Sequence, residues 1–129
     1  MYINCHSVFS FRYGTLKIKD LLELAKLNQV STLALTDINN TSASLNFIRE
    51  ATVQGVKPVV GIDFRNGAKQ QFVGLAKSNK GFQELNAYLS SFLHQHENIP
   101  DFPQKLEEVF VIYPFTKYIN RRSIGFSRI

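Results

Sequence analysis

The sequence predicts an α/β fold, a layer of mostly parallel strands with helices packed outside it. Three observations carry that expectation. Thr32-Leu-Ala-Leu-Thr36 is a short aliphatic run that turns polar at Asp37 and leads through Asn39 and Asn40 into a helix near Thr41 or Ser42, one half of a βαβ unit. The elements along the chain follow the order β-α-β-α-β-β-α-β, which builds a sheet on parallel strands. Crossovers between parallel strands are nearly always right-handed, so the first three strands should point the same way and end on one rim.

Each element has its own signature. Tyr2-Ile3 begins a strand that stops at the polar Asn4-Cys5-His6-Ser7, and a loop through Phe9, Phe11 and Tyr13 closes at Gly14. From Ile18 to Asn28 the spacing is helical, with Leu21, Leu24, Ala25 and Asn28 on one stripe. The central strand follows, and then a helix from about Ser42 to Gln54 with Leu45, Ile48 and Ala51 aligned and Gly55 as its stop. Lys57 to Phe64 reads as a buried strand, and Asn66-Gly67 is a hairpin signal that sends Gln70–Ala76 back antiparallel to it. Ser78 can cap a helix carrying Phe82, Leu85, Leu89 and Phe92 on one side. A loop over residues 97–104 with Pro100 and Pro103 precedes a last strand, Val109–Tyr113, ended by Pro114.

The totals suit one soluble domain. The chain has 129 residues, 44% hydrophobic and 19% charged, enough for a single core. No apolar run is long enough to cross a bilayer and the N-terminus lacks a signal-peptide pattern, so a cytoplasmic location and no membrane partner are expected. The lone Cys5 has no internal disulfide partner, in keeping with a reducing compartment. Net charge is +5, but no acidic residue falls between Val109 and Ile129, where Lys117, Arg121, Arg122 and Arg128 lie. Setting those four aside leaves 11 basic against 10 acidic residues. The basicity therefore belongs to the tail, which is either a nucleic-acid contact or a solvated end.

The common rim gathers Asn4, His6, Asp37 and Asp63 from three strand ends. Polar, metal-capable side chains at one edge of a sheet make the pattern of an active-site face, although polar residues also appear wherever strands end.

Ile3-Asn-Cys-His-Ser-Val-Phe-Ser10, Leu33-Ala-Leu-Thr-Asp-Ile-Asn-Asn40, Lys57-Pro-Val-Val-Gly-Ile-Asp63 and Phe72-Val-Gly-Leu-Ala-Lys-Ser-Asn-Lys-Gly-Phe82 occur in this order. Together they resemble the amino-terminal PHP (polymerase and histidinol phosphatase) domain of bacterial replicative DNA polymerase III alpha subunits. The likeness covers residues 1–93; residues 94–129 are the remainder of the same domain or a poorly matched basic tail. The resemblance implies a distorted (β/α)7 barrel, mostly parallel with helices outside, of which this chain is the first half or so. It also implies strand ends that bind up to three divalent metals, zinc or manganese, and hydrolyse phosphoesters with metal-activated water. Implied partners are the rest of the polymerase alpha chain, the replicase exonuclease subunit, and DNA through the whole polymerase.

Departures from the family pattern bear on function. The His-x-His motif is Asn4-Cys5-His6; the acidic residue before the loop glycine is Tyr13; Thr-Asp-His has become Thr36-Asp37-Ile38; the glutamate after the third strand is Asp63; and a histidine opening the next strand stands as Gln71. His6, Asp37 and Asp63 are the residual metal positions. A hydrolytic centre needs enough imidazole and carboxylate ligands to fix the ion and leave one place for water. Shortening Glu to Asp withdraws the carboxylate by about 1.5 Å, against metal distances tolerated to about 0.2 Å. At most one weakly held zinc or manganese is expected.

Bland readings stand beside these. His6 is a ligand or a hydrogen-bonded rim histidine; Asp37 is a ligand, a helix cap or a brace of the turn. Cys5 is a zinc ligand or a small buried hydrophobe. His94 and His96, at i and i+2, do not share a helix face. Phe9, Phe11 and Tyr13 stack on bases or pack on the rim. There is no Gly-rich phosphate loop, nucleophile elbow or Cys-x-x-Cys pair. The expectation is a structural PHP module of a replicative polymerase with a degenerate metal site and no catalytic residue of its own. The alternatives are a metal-dependent phosphoesterase or 3′–5′ exonuclease with a reduced site, and a non-catalytic nucleic-acid-binding module using the basic tail.

Overall fold

The computed structural model describes residues 1–104 and 106–115; the four basic residues Lys117, Arg121, Arg122 and Arg128 lie outside them. The elements run β1 (Tyr2–Cys5), α1 (Ile18–Leu27), β2 (Thr32–Leu35), α2 (Ser44–Gln54), β3 (Lys57–Asn66), β4 (Lys69–Ala76), α3 (Asn79–Gln95) and β5 (Val109–Ile112). Their order is the one the residue pattern predicts.

The strands form one sheet in the order β1-β2-β3-β4-β5. β1 and β2 pair in parallel, as do β2 and β3, whereas β4 runs antiparallel to both β3 and β5. Four of the five strands thus point one way, although only half the pairings are parallel. β3 is long because it serves two partners. Lys57–Val60 pairs with β2, and Gly61–Asn66 pairs with β4 through the hairpin at Gly67. That hairpin lets β3 run two residues past the expected Phe64.

Among the described residues the three helices pack on one face of the sheet. Leu22, Leu33, Leu35 and Phe47 centre one buried cluster under α1 and α2; Ile62, Phe64, Phe72, Leu85 and Leu89 centre a second under α3. The opposite face carries a smaller apolar group, Ala34, Val73 and Leu75 with Val59 and Ile112. Ile3 and Asn4 of β1 line the same small hollow on that face as Gln70, Val73 and Ile112. Strands at opposite ends of the sheet order meet across it, so the sheet is curled.

Two predicted helix stripes are partly rotated: Ala25 and Ala51 are buried as expected, but their neighbours on the stripe are less so. In α1 the buried residues are Ile18, Leu22 and Ala25, and in α2 they are Ser44, Phe47 and Ala51. Leu21, Leu24 and Asn28 instead line an apolar groove of about 280 Å³ beside Tyr2 and Cys5 of β1. Leu45 is exposed and Ile48 half-buried, and both border another groove with Val59 and Phe110. Each helix therefore carries two apolar stripes, and the sheet selects which is covered. α2 also starts at Ser44 rather than Ser42, behind an uncapped turn at Ala43. Gly55 ends it at φ +75°, a conformation nearly free only for glycine. Ser78 caps α3 by accepting from the Gly81 N–H at 3.3 Å, as expected.

Candidate functional site

The rim where β1, β2 and β3 deliver their polar residues is organised by two buried carboxylates. Asp37 lies just past β2 and is 2% exposed. Its Oδ1 accepts from the Ser7 N–H and the Ser10 hydroxyl, and its Oδ2 accepts from the Ser7 hydroxyl, all at 2.7 Å. Both hydroxyls also accept, Ser10 from the Ile38 N–H at 2.9 Å and Ser7 from the Phe9 N–H at 3.2 Å. Asp37 is thus a brace that ties the β1–α1 loop to the end of β2. It caps no helix: the side chain that accepts at the next turn is Asn40, from the Ser42 N–H at 3.2 Å.

The loop it holds is tight enough to require Gly14. A Cβ there would stand 1.7 Å from the Ser7 carbonyl oxygen, far inside contact distance. The Gly14 N–H donates to the Ser10 carbonyl at 2.8 Å, and Tyr13 donates to the same oxygen at 3.0 Å.

Asp63 is fully buried inside β3, not at its end, in the stretch that pairs with β4 opposite Val73. An isolated parallel bridge to Ile38 extends the β2 pairing to this point. The Asp63 Oδ2 accepts from His6 Nε2 at 3.0 Å and from Arg65 at 3.1 Å (Nε) and 2.8 Å (the terminal nitrogen). Its Oδ1 accepts from the Gln70 amide at 3.0 Å. Because a carboxylate can only accept, the His6 bond places a proton on Nε2. Burial alone would raise the Asp63 pKa, but the hydrogen bonds from His6, Arg65 and Gln70 and the charge of Arg65 outweigh it and hold it below its ordinary 3.8. The same contact raises Arg65 above its ordinary value, against the opposing effect of its burial.

Three residues of this arrangement, Arg65, Gln70 and Asn39, were not legible as site residues. Arg65 is two positions after Asp63 on one strand, hence on the same side; an Asp-x-Arg pair in a strand is the signal that points to it. Gln70, not Gln71, reaches Asp63, because the β3–β4 register shifts between Phe64 and Arg65 and leaves Gln71 as the extra residue. Asn39, at φ +49°, clasps the Arg65 backbone: its Oδ1 accepts from the Arg65 N–H at 2.9 Å and its Nδ2 donates to the Arg65 carbonyl at 2.8 Å.

The other expected members fall elsewhere. Asn4 faces Thr36, whose hydroxyl donates to its Oδ1 at 2.8 Å. Cys5 is half-buried against the α1–α2 cluster, and burial pushes its thiol pKa up. Tyr13 covers the Arg65 guanidinium at 4.9 Å from ring centre to Cζ. Packing does not account for Phe11, which is 83% exposed. Both His94 and His96 are exposed, and His96 ends α3 at φ +53°.

His6 and Asp63 are brought together, whereas Asp37 is turned to the serines. Among the described residues no group of three or more His, Cys, Asp or Glu is placed to hold a metal ion. In this arrangement Asp37 accepts three hydrogen bonds and Asp63 four, and the Arg65 guanidinium is ion-paired to Asp63.

The lowered Asp63 pKa sets a pH dependence. A carboxylate depressed in the folded state stabilises fully above its unfolded pKa, and that stabilisation is lost as pH falls through the folded value. From pH 3.8 downward the wild type should therefore lose stability faster than Asp63→Asn, so the gap between their urea midpoints narrows in acid. A gap that stays constant from pH 6 to about pH 2.5 would show that Asp63 contributes no such linkage.

Comparison with known proteins places the chain among relatives. The PHP domain profile matches residues 3–118. An error-prone DNA polymerase from Symbiobacterium thermophilum is 33% identical over 91 residues, covering 70% of this chain and 8% of its own. The DNA polymerase III subunit alpha of Borreliella burgdorferi is 28% identical, covering 84% of this chain and 11% of its own; that of Mycoplasma genitalium is 32% identical, covering 87% and 13%. The chain thus spans only 8% to 13% of the length of these relatives. An amidohydrolase from Chromobacterium violaceum, solved with bound sulfate and no metal, shares the fold at a TM-score of 0.56 and 24% identity, over 73% of this chain and 33% of its own. Among the described residues no helix is long and apolar enough to cross a membrane.

Proposed function

Because the chain belongs to the PHP domain family, we propose that it works as the PHP module of a bacterial DNA polymerase III alpha subunit, as a structural part and not as a hydrolase. One observation carries the structural role. The rim that would hold catalytic metal is filled by its own side chains, with the Asp63 carboxylate spent on Arg65, His6 and Gln70. Hydrolysis by metal-activated water requires an open coordination position, and these donors leave none. The curl of the sheet, with β1 and β5 lining one hollow, supports a distorted (β/α)7 barrel to which these elements contribute one side.

DNA extension is then a property of the whole polymerase, and this chain's partners are the rest of the alpha chain, the exonuclease subunit, and DNA through the assembled enzyme. A bacterial replicase of this kind acts in the cytoplasm.

The deciding experiment is elemental analysis of the chain expressed with added zinc and manganese, paired with assays on nitrophenyl phosphate and on a DNA 3′ end. Substoichiometric metal and no hydrolysis are expected. Two or more tightly held ions per chain that disappear in His6→Ala would overturn the structural reading in favour of a phosphoesterase.

A further inference from the structure

We propose that the Arg65 guanidinium is the resident cation of this rim, standing in for a divalent metal and joining the same loops that a metal would join. The proposal rests on the metal-poor reading above and names the group that makes it so. A fully buried carboxylate without a counter-charge is costly. In a metal centre the ion supplies that charge. Here two nitrogens of Arg65 converge on one Asp63 oxygen at 2.8 and 3.1 Å, and the Arg65 side chain is only 14% exposed.

Arg65 is also fixed from its other sides, as a structural ion would be. The Tyr13 ring from the β1–α1 loop covers the guanidinium. Asn39 from the β2–α2 loop holds the Arg65 backbone by both its N–H and its carbonyl. His6, again from the first loop, shares the Asp63 oxygen that Arg65 uses. One residue of β3 therefore knits two loops to the sheet, with Gln70 of β4 closing the remaining carboxylate oxygen. A planar guanidinium suits this role: it donates along two directions at once and stacks on an aromatic face, whereas an ammonium is a hydrated point charge.

The test is Arg65→Met in the 129-residue chain, read by melting temperature with and without added zinc or manganese. Removing one partner of a buried pair should lower the melting temperature by about 10 °C. The orphaned Asp63 and His6 should then accept a metal, so that ~1 mM zinc restores on the order of 5 °C, an effect absent from the wild type and abolished by adding His6→Ala. Should Arg65→Met fail to fold, Arg65→Lys carries the test. It keeps a charge without the fork, so it should melt below the wild type and stay blind to zinc; a zinc response there overturns the proposal. Arg65→Met that melts with the wild type, or that shows no His6-dependent metal response, overturns this proposal and leaves the metal-poor reading standing. A wild-type chain carrying one stoichiometric ion removable by chelator overturns this proposal, and two or more such ions overturn the structural reading as well.

Discussion

Asp37→Ala should destabilise the chain by about 3–5 kcal/mol, because it removes a buried acceptor of three charge-assisted hydrogen bonds, each worth roughly 1.5–3 kcal/mol. The sum is discounted because the freed Ser7 and Ser10 hydroxyls can turn to water once the loop loosens; the Ser7 N–H, donating at 2.7 Å, cannot. For a chain of this size the loss should appear as a melting-temperature drop on the order of 10–20 °C. Asp37→Asn keeps the shape and one acceptor oxygen, so it should retain about half the stability that Asp37→Ala loses. A second readout locates the damage. Amide exchange over residues 7–14 should speed up in Asp37→Ala while β4 and α3 stay protected. If Asp37→Ala unfolds within about 1 kcal/mol of the wild type, the carboxylate is not the brace described here. Metal should alter none of these values.

Phe64→Ala should cost a comparable ~3–5 kcal/mol for a different reason, lost apolar burial and an unfilled cavity. Phe64 is fully buried, stacked on Phe72 at 4.6 Å and edge-on to Tyr88 at 5.6 Å between their ring centres. Such ring pairs add about 0.5–1.5 kcal/mol beyond area, and neither Tyr88 nor Phe72 can collapse into the space while held by the sheet and α3. Phe64→Leu keeps most of the volume and should cost well under half as much. Since Phe64 adjoins Asp63 but points to the helix face, its replacement should leave the acid-range linkage of Asp63 intact. Urea unfolding at neutral and acid pH checks both statements. A loss below about 1.5 kcal/mol would mean that the α3 cluster is not the tight core the ring geometry implies.

The two sites illustrate different degrees of legibility. Phe64 and Phe72 sit in aliphatic and aromatic runs whose burial follows from hydrophobicity, and the hairpin between them was marked by Asn66-Gly67. Asp37 and His6 could be placed at the rim, because a strand that turns polar shows where it ends. What each then touches was open. Asp37 had three readings, and the choice fell to Ser7 and Ser10, which are distant in sequence and common in loops.

Local residue types were sufficient for the element order and for the parallel start of the sheet with its antiparallel hairpin. These depend on periodicity, turn chemistry and side-chain identity, all of which act within a few residues. Tertiary structure alone decided which stripe of α1 and α2 is covered, since both helices carry two apolar faces and only the curved sheet distinguishes them. It also decided that Asp63 meets Arg65, His6 and Gln70. That choice depends on a register shift between β3 and β4 and on a loop folded back from β1, and a buried carboxylate takes whichever donors this packing brings within 3 Å or so.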